Sequence, residues 1–173
     1  TGTESVTNKG SILAKVNLSI ESALLSNNGI MNAQNKIDIN QRSIGTIENN
    51  GYIFAETVHL GNETNRQIKI SNTSASFENV KGEVVLGGIQ SGIGGLEIIT
   101  SELVNSGQLS SDNDLLINSE QSMTGSNALT GSLETKGRLT LNTSGLDVTS
   151  SAKIIALGDD MSLIHISEPT RLL

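Results

Sequence analysis

The sequence predicts an all-β chain wound into a right-handed parallel β-helix, a solenoid of about 20 residues per rung. Three observations predict it. An aliphatic–x–Asn–x–Gly–x–aliphatic pattern recurs along the 173 residues. Short runs with apolar residues two apart, the periodicity of strands, follow several copies. Aromatic residues are only 2 % of the chain, too few large fillers for a compact core but suited to a thin stacked one.

The copies come in order. Val6-Thr7-Asn8-Lys9-Gly10-Ser11-Ile12 is the first, then Leu25 to Met31, Ile47 to Ile53 and Leu103 to Leu109. Two are looser. Phe77 to Val84 carries Asn79 and Gly82 with one inserted residue, and Leu133 to Leu139 has Thr135 where Asn is expected before Gly137. The repeat positions are thus Asn8, Gly10, Asn27, Gly29, Asn49, Gly51, Asn79, Gly82, Asn105, Gly107 and Gly137. Their glycines are 19, 22, 31, 25 and 30 residues apart, so the longer steps need an inserted loop or a partial extra turn. Two residues beyond the second aliphatic the chain is small: Ala14, Ala33, Ala55, Ser111. Further strand-like runs are Val16–Ile20, Ile37–Ile39, Val58–Leu60, Ile68–Ile70, Leu115–Ile117 and Leu146–Val148. Asn, Ser, Gly and Thr separate them as turn formers. No segment sustains a helical stripe for three turns.

One unit offers two or three short strands that cannot bury their apolar faces alone. Stacking units about 4.8 Å apart pairs each strand with its copies and builds a continuous aliphatic core. At the corner, Gly is expected to supply positive φ. Asn is expected to tolerate the left-handed conformation and to stack its side-chain amide on the next copy. About 160 residues then give roughly eight rungs and about 35–40 Å of rod.

Composition excludes several functions. The chain has 11 Lys+Arg and 18 Asp+Glu, a formal charge of −7. That balance, with no basic cluster, argues against nucleic acid or an anionic membrane as partner. No apolar run approaches the roughly 20 residues of a membrane span, so no membrane insertion is expected. With no cysteine there is no disulfide framework and no thiolate metal site. No cofactor is expected. Thr1 is not Met and no signal-peptide pattern follows, so the sequence reads as an internal excerpt.

The repeats resemble the haemagglutinin repeat of filamentous haemagglutinin-type exoproteins, including the contact-dependent inhibition proteins of Gram-negative bacteria. Asn27, Gly29, Met31 and Ala33, then Ile37 and Ile39, sit on that family's rung pattern, as do Asn49, Gly51, Ile53 and Ala55, then Val58 and Leu60. The resemblance covers Val6 to about Leu157 and is weakest between Thr64 and Glu97. The chain usually has one Gly where the family often has two. The resemblance implies a fragment of a long secreted rod, extracellular or at the cell surface. Such rods are exported unfolded through the outer-membrane transporter of a two-partner secretion system, by a domain not present here. They hold a distal tip or effector away from the cell, towards a host or neighbouring-cell receptor. Absence of Cys suits that export.

The repeat signal ends near residue 160, and composition shifts at once. Ser162 to Arg171 resembles a one-frame translation of a transposon-end sequencing adapter, so residues 161–173 are expected to be a non-native tail beside repeats at 1–160. The other reading is a closing strand, Leu163-Ile164-His165-Ile166.

Candidate chemistry is sparse. Gly87 to Gly95 is the densest glycine stretch, yet it has no Lys and no following helix for a phosphate cradle, and it reads as a loop or irregular rung. The acidic pairs Asp112/Asp114 and Asp159/Asp160 could bind calcium or act as acid and base, but no stacked partners are evident about 20 residues away, and they read as solvated turn acids. His59, between Val58 and Leu60, should face outward. His165 lies in the suspected tail. Asn17, Asn62, Asn72 and Asn142 head Asn-x-Ser/Thr acceptor patterns that arise by chance in so polar a chain. With no catalytic, metal or cofactor residues assigned, the chain reads as a structural shaft that spaces and displays, and not as an enzyme. The alternatives are a polysaccharide-cleaving β-helix enzyme and an autotransporter passenger shaft. Four or more charged side chains converging in one groove would favour the enzyme, and an evenly polar shaft the adhesin.

Overall fold

The structure is a computed structural model, and it describes residues 4–40, 45–62, 68–73, 76–78, 84–119, 127–143, 145–158 and 161–164. For 76–78, 84–86, 127 and 161–164 only the backbone is described. The described chain is all β-strand and turn, with parallel strands stacked as a solenoid of about 6 turns at ~22 residues per turn.

Three faces make each turn. The first stacks seven strands: Ser5–Asn8, Leu24–Asn27, Gly45–Asn49, Ile68–Asn72, Glu102–Asn105, Asn127–Leu129 and Leu146–Val148. The second holds Ser11–Ala14, Ile30–Ala33, Gln108–Ser111, Ser132–Thr135 and Lys153–Ala156. The third holds Asn17–Glu21, Lys36–Asn40, Leu115–Ser119, Leu139–Thr143 and Met161–Ile164. Two long strands, Tyr52–Gly61 and Gly88–Ile99, bend across the second and third faces and join them.

Alternation decides which residues go in. On the first face Leu25, Ile47, Ile70 and Leu103 are buried. On the second, Met31, Ile53, Ile89, Leu109 and Leu133 form the inner column. On the third, Ile37, Val58, Leu96, Leu115 and Leu139 form one column, and Ile39, Leu60, Ile98, Ile117 and Leu141 another. A further inner column on the second face takes the small residues Ala33, Ala55, Ser91, Ser111 and Thr135. Ser91 donates to Ser111 at 2.8 Å within it. Burying one Leu or Ile contributes about 1.5–3 kcal/mol, so these columns are the main stabilising term.

The turn count differs from the eight expected, because the steps are unequal. Successive buried asparagines of the first face are 19, 22, 23 and 33 residues apart. The longest step, Asn72 to Asn105, contains an antiparallel hairpin of Ser76–Glu78 with Val84–Leu86 that leaves the parallel stack. Met161–Ile164 pairs in parallel with residues 139–142, so backbone pairing continues past the boundary read at 160. Asn79, Gly82, Asp159, Asp160 and His165 lie outside the described residues.

Two corrections concern the corners. The first is the reason for glycine. Among the described glycines positive φ occurs at Gly61, Gly88 and Gly95, and not at the described repeat glycines. At Gly29 and Gly51 glycine is required by vertical approach instead. A Cβ on Gly29 would lie 2.1 Å from the carbonyl oxygen of Gly10, and one on Gly51 would lie 2.1 Å from that of Gly29. Rungs about 4.8 Å apart leave no room for a side chain aimed at the rung below.

The second correction is register. Thr135 pairs with Ser111, so Gly137 belongs to the turn between the second and third faces, not to the Asn-x-Gly corner. That corner is Leu129-Thr130-Gly131, and a Cβ on Gly131 would lie 2.1 Å from the oxygen of Gly107. Leu146–Val148 is accordingly a first-face strand, paired with Asn127–Leu129, and not the run after a corner. Leu stands where Asn was sought, which hid the true corner.

Candidate functional site

Two constellations are built by the stacking. The first is structural. Asn8, Asn27, Asn49, Asn72 and Asn105 end their first-face strands with side chains pointing inward, all buried. Each donates from Nδ2 to Oδ1 of the next: Asn8 to Asn27 at 2.8 Å, Asn27 to Asn49 at 2.8 Å, Asn49 to Asn72 at 2.8 Å, Asn72 to Asn105 at 2.7 Å. A buried amide is costly unless its groups are paired, and the ladder pairs both ends. It stops because Leu129 follows Asn105 in register, and Asn105 donates instead to the carbonyls of Gly107 and Ser132. Asn72 was missed in the sequence, since Thr73 and Ser74 follow it where Gly was sought; Ile68-x-Ile70-x-Asn72 was the available signal.

The second constellation lies on the outer side of the third face. Asp38, His59 and Glu97 stack in register there, with Leu116 and Thr140 continuing the column. Lys36 Nζ lies 3.1 Å from Asp38 Oδ2. His59 Nδ1 lies 2.9 Å from Asp38 Oδ1, and its Nε2 lies 3.8 Å from Glu97 Oε2. Partial burial alone would raise the Asp38 pKa. The hydrogen bonds from His59 and Lys36 and their charges outweigh it, and the carboxyl is held below its usual value.

Beside this column is an open depression of about 430 Å³ lined by Lys36, Thr57, His59, Glu97, Asp114, Arg138 and their neighbours. Four charged side chains therefore meet in one groove. Asp114 Oδ1 accepts the backbone N–H of Arg138 at 2.8 Å, and Asp112 pairs with Lys136 at 2.7 Å. The turn acids do have stacked partners, 24 residues on in each case. The spacing is 24 residues and not about 20 because the rungs here are longer.

The glycine stretch ends in the groove, whose lining includes Gly94 and Gly95. Between Ser91 and Gly95 the pairing shifts, and Gly92, Ile93 and Gly94 bulge where Glu56 alone stands below. A Cβ on Gly94 would lie 1.9 Å from Thr57 Oγ1, and Gly95 has φ +90. Glu56 Oε2 accepts the Ile93 N–H at 3.2 Å, and Ile93 itself is 76 % exposed. On the second face, Tyr52 and Phe54 stand outward with rings parallel at 6.1 Å, and the Tyr52 hydroxyl donates to Gln90 at 3.0 Å.

Among the described residues there is no group of three metal-capable side chains, and no helix is long and apolar enough to cross a membrane. Comparison with protein-family models, with curated proteins and with solved structures finds no match. Fold and ladder define the class: a parallel β-solenoid with a buried asparagine seam.

Proposed function

We propose that this chain is part of the shaft of a large secreted filamentous exoprotein, of the adhesin or contact-dependent inhibition type. The observation that carries the reading is the asparagine ladder through five successive rungs. A repeat held in register by buried amides makes a stiff spacer whose length is set by rung number. The shaft presents a distal tip or effector, engages a receptor through parts beyond this stretch, and leaves the cell through an outer-membrane transporter. An acidic surface keeps neighbouring rods apart. The test is the parent gene expressed with and without its adjacent transporter. Surface delivery that depends on the transporter, with filaments shortened when whole rungs are deleted, is the expected result. A parent protein retained inside the cell with its transporter present would overturn it.

A second reading, a polysaccharide-cleaving enzyme, is favoured by one observation: Lys36, Glu97, Asp114 and Arg138 share a groove. Release of reducing ends from a polysaccharide panel, lost in Glu97→Gln, would establish it. The autotransporter alternative has the same rungs and differs only in its termini.

A further inference from the structure

The groove on the third face is not explained by spacing, and its origin is one missing side chain. Along the rod, Lys36, Thr57 and Gly95 stand in register. Asp114 and Arg138 extend that line, because Leu96 N–H donates to the Asp114 carbonyl and Leu115 N–H to that of Arg138. The neighbouring line is Asp38, His59, Glu97, Leu116 and Thr140. Gly95 lacks a side chain midway, so the surface sinks between the two lines. Positive φ at Gly95 and the tight seat of Gly94 on Thr57 fix this floor.

We infer that this groove binds a linear, uncharged oligosaccharide lying along the rod axis. Charge argues first. The lining has two cations, Lys36 and Arg138, and two carboxylates, Glu97 and Asp114. Lys36 is engaged by Asp38, and His59 lies between Asp38 and Glu97. With Asp38 counted beside them, and His59 apart, the groups number two cations and three carboxylates, so the groove repels an anionic chain and its charges are otherwise matched in pairs. It offers donors and acceptors side by side, which hydroxyls match because each both donates and accepts. Thr57 and Thr140 add hydroxyls, and Leu116 with the bare Gly94–Gly95 backbone gives ring faces an apolar seat. Shape argues second. The lining spans five rungs, about 19 Å at ~4.8 Å per rung, and is open along its length. A peptide adding as a strand is disfavoured, since the backbone groups here are already paired with the rungs on either side. The inference does not depend on the shaft reading.

The test is amide chemical-shift mapping of the whole chain with neutral probes (cellotetraose, maltotetraose, chitotetraose) and with tetragalacturonate as the charged comparator. The expected result is that a neutral probe at millimolar concentration shifts Gly94, Gly95, Glu97 and Leu116, and binds more tightly than the charged one. Thr140→Trp, which fills the groove, abolishes the shifts. Ser110→Trp, on the second face, leaves them. Glu97→Gln keeps the shape and weakens binding about tenfold, the order for losing one charged hydrogen bond. That variant decides the matter if Thr140→Trp does not fold. No shift with any neutral probe, preference for tetragalacturonate, or shifts that survive Thr140→Trp and Glu97→Gln would each overturn the proposal.

Discussion

Asn27 donates from Nδ2 to Oδ1 of Asn49 at 2.8 Å, and both side chains are fully buried. Neither amide has water to fall back on, so the pair holds two rungs in one register. Asn49→Leu leaves the Asn27 donor and the Asn72 acceptor short of partners. The expected loss is about 2–6 kcal/mol, from two buried groups at about 1–3 kcal/mol each. Urea unfolding followed by circular dichroism measures it. Asn105→Leu should cost less, because Leu129 already fills the next position and Asn72 keeps its bond to the Gln108 carbonyl at 3.0 Å.

Gly51→Ala puts a methyl 2.1 Å from the Gly29 carbonyl oxygen, where only backbone movement makes room. Gly10→Ala meets nothing within 4 Å. The first should destabilise by about 1–3 kcal/mol or more, the scale of overpacking, and the second by little. Paired thermal melts compare them. Equal melting temperatures would refute close vertical approach as the reason for glycine.

Asp38 titrates below its ordinary value through His59 and Lys36. A depressed carboxylate stabilises the fold above its unfolded pKa, and the contribution disappears as pH falls through the lower folded value. A carbon-detected NMR titration should place Asp38 below the usual aspartate midpoint. Lys36→Met and His59→Gln should each move that midpoint up.

Lys136 and Asp112 pair at 2.7 Å on the open surface, and the hydrogen bond and charge of Asp112 raise the lysine pKa. Solvent screens such a pair. Lys136→Met should leave the melting temperature unchanged within error, in contrast to the buried ladder. A clear drop would mark the pair as part of a larger network.

The rungs were legible wherever Asn, Gly and two aliphatics kept their spacing, because each residue type has its own mechanical reason to recur. Legibility failed where one function passed to another residue. Asn72 keeps the ladder without a following glycine, and Leu129 keeps the corner without an asparagine. Substituting the one for the other moved Gly137 to the wrong turn. The groove was illegible for a different reason. It brings Lys36, Glu97 and Arg138 together only after the bulge at Gly92–Gly94 sets the register, and no local pattern encodes distances between rungs.

All four amide contacts of the ladder run the same way, from the lower-numbered asparagine to the higher. Side-chain dipoles so aligned add along the axis instead of cancelling. The seam is therefore electrically polar, with its first amide presenting oxygen backward and its last presenting hydrogen forward. A rung turned end for end would set oxygen against oxygen at the first amide, or N–H against N–H at the last. Over these five rungs the stack has a head and a tail marked by a row of identical amides.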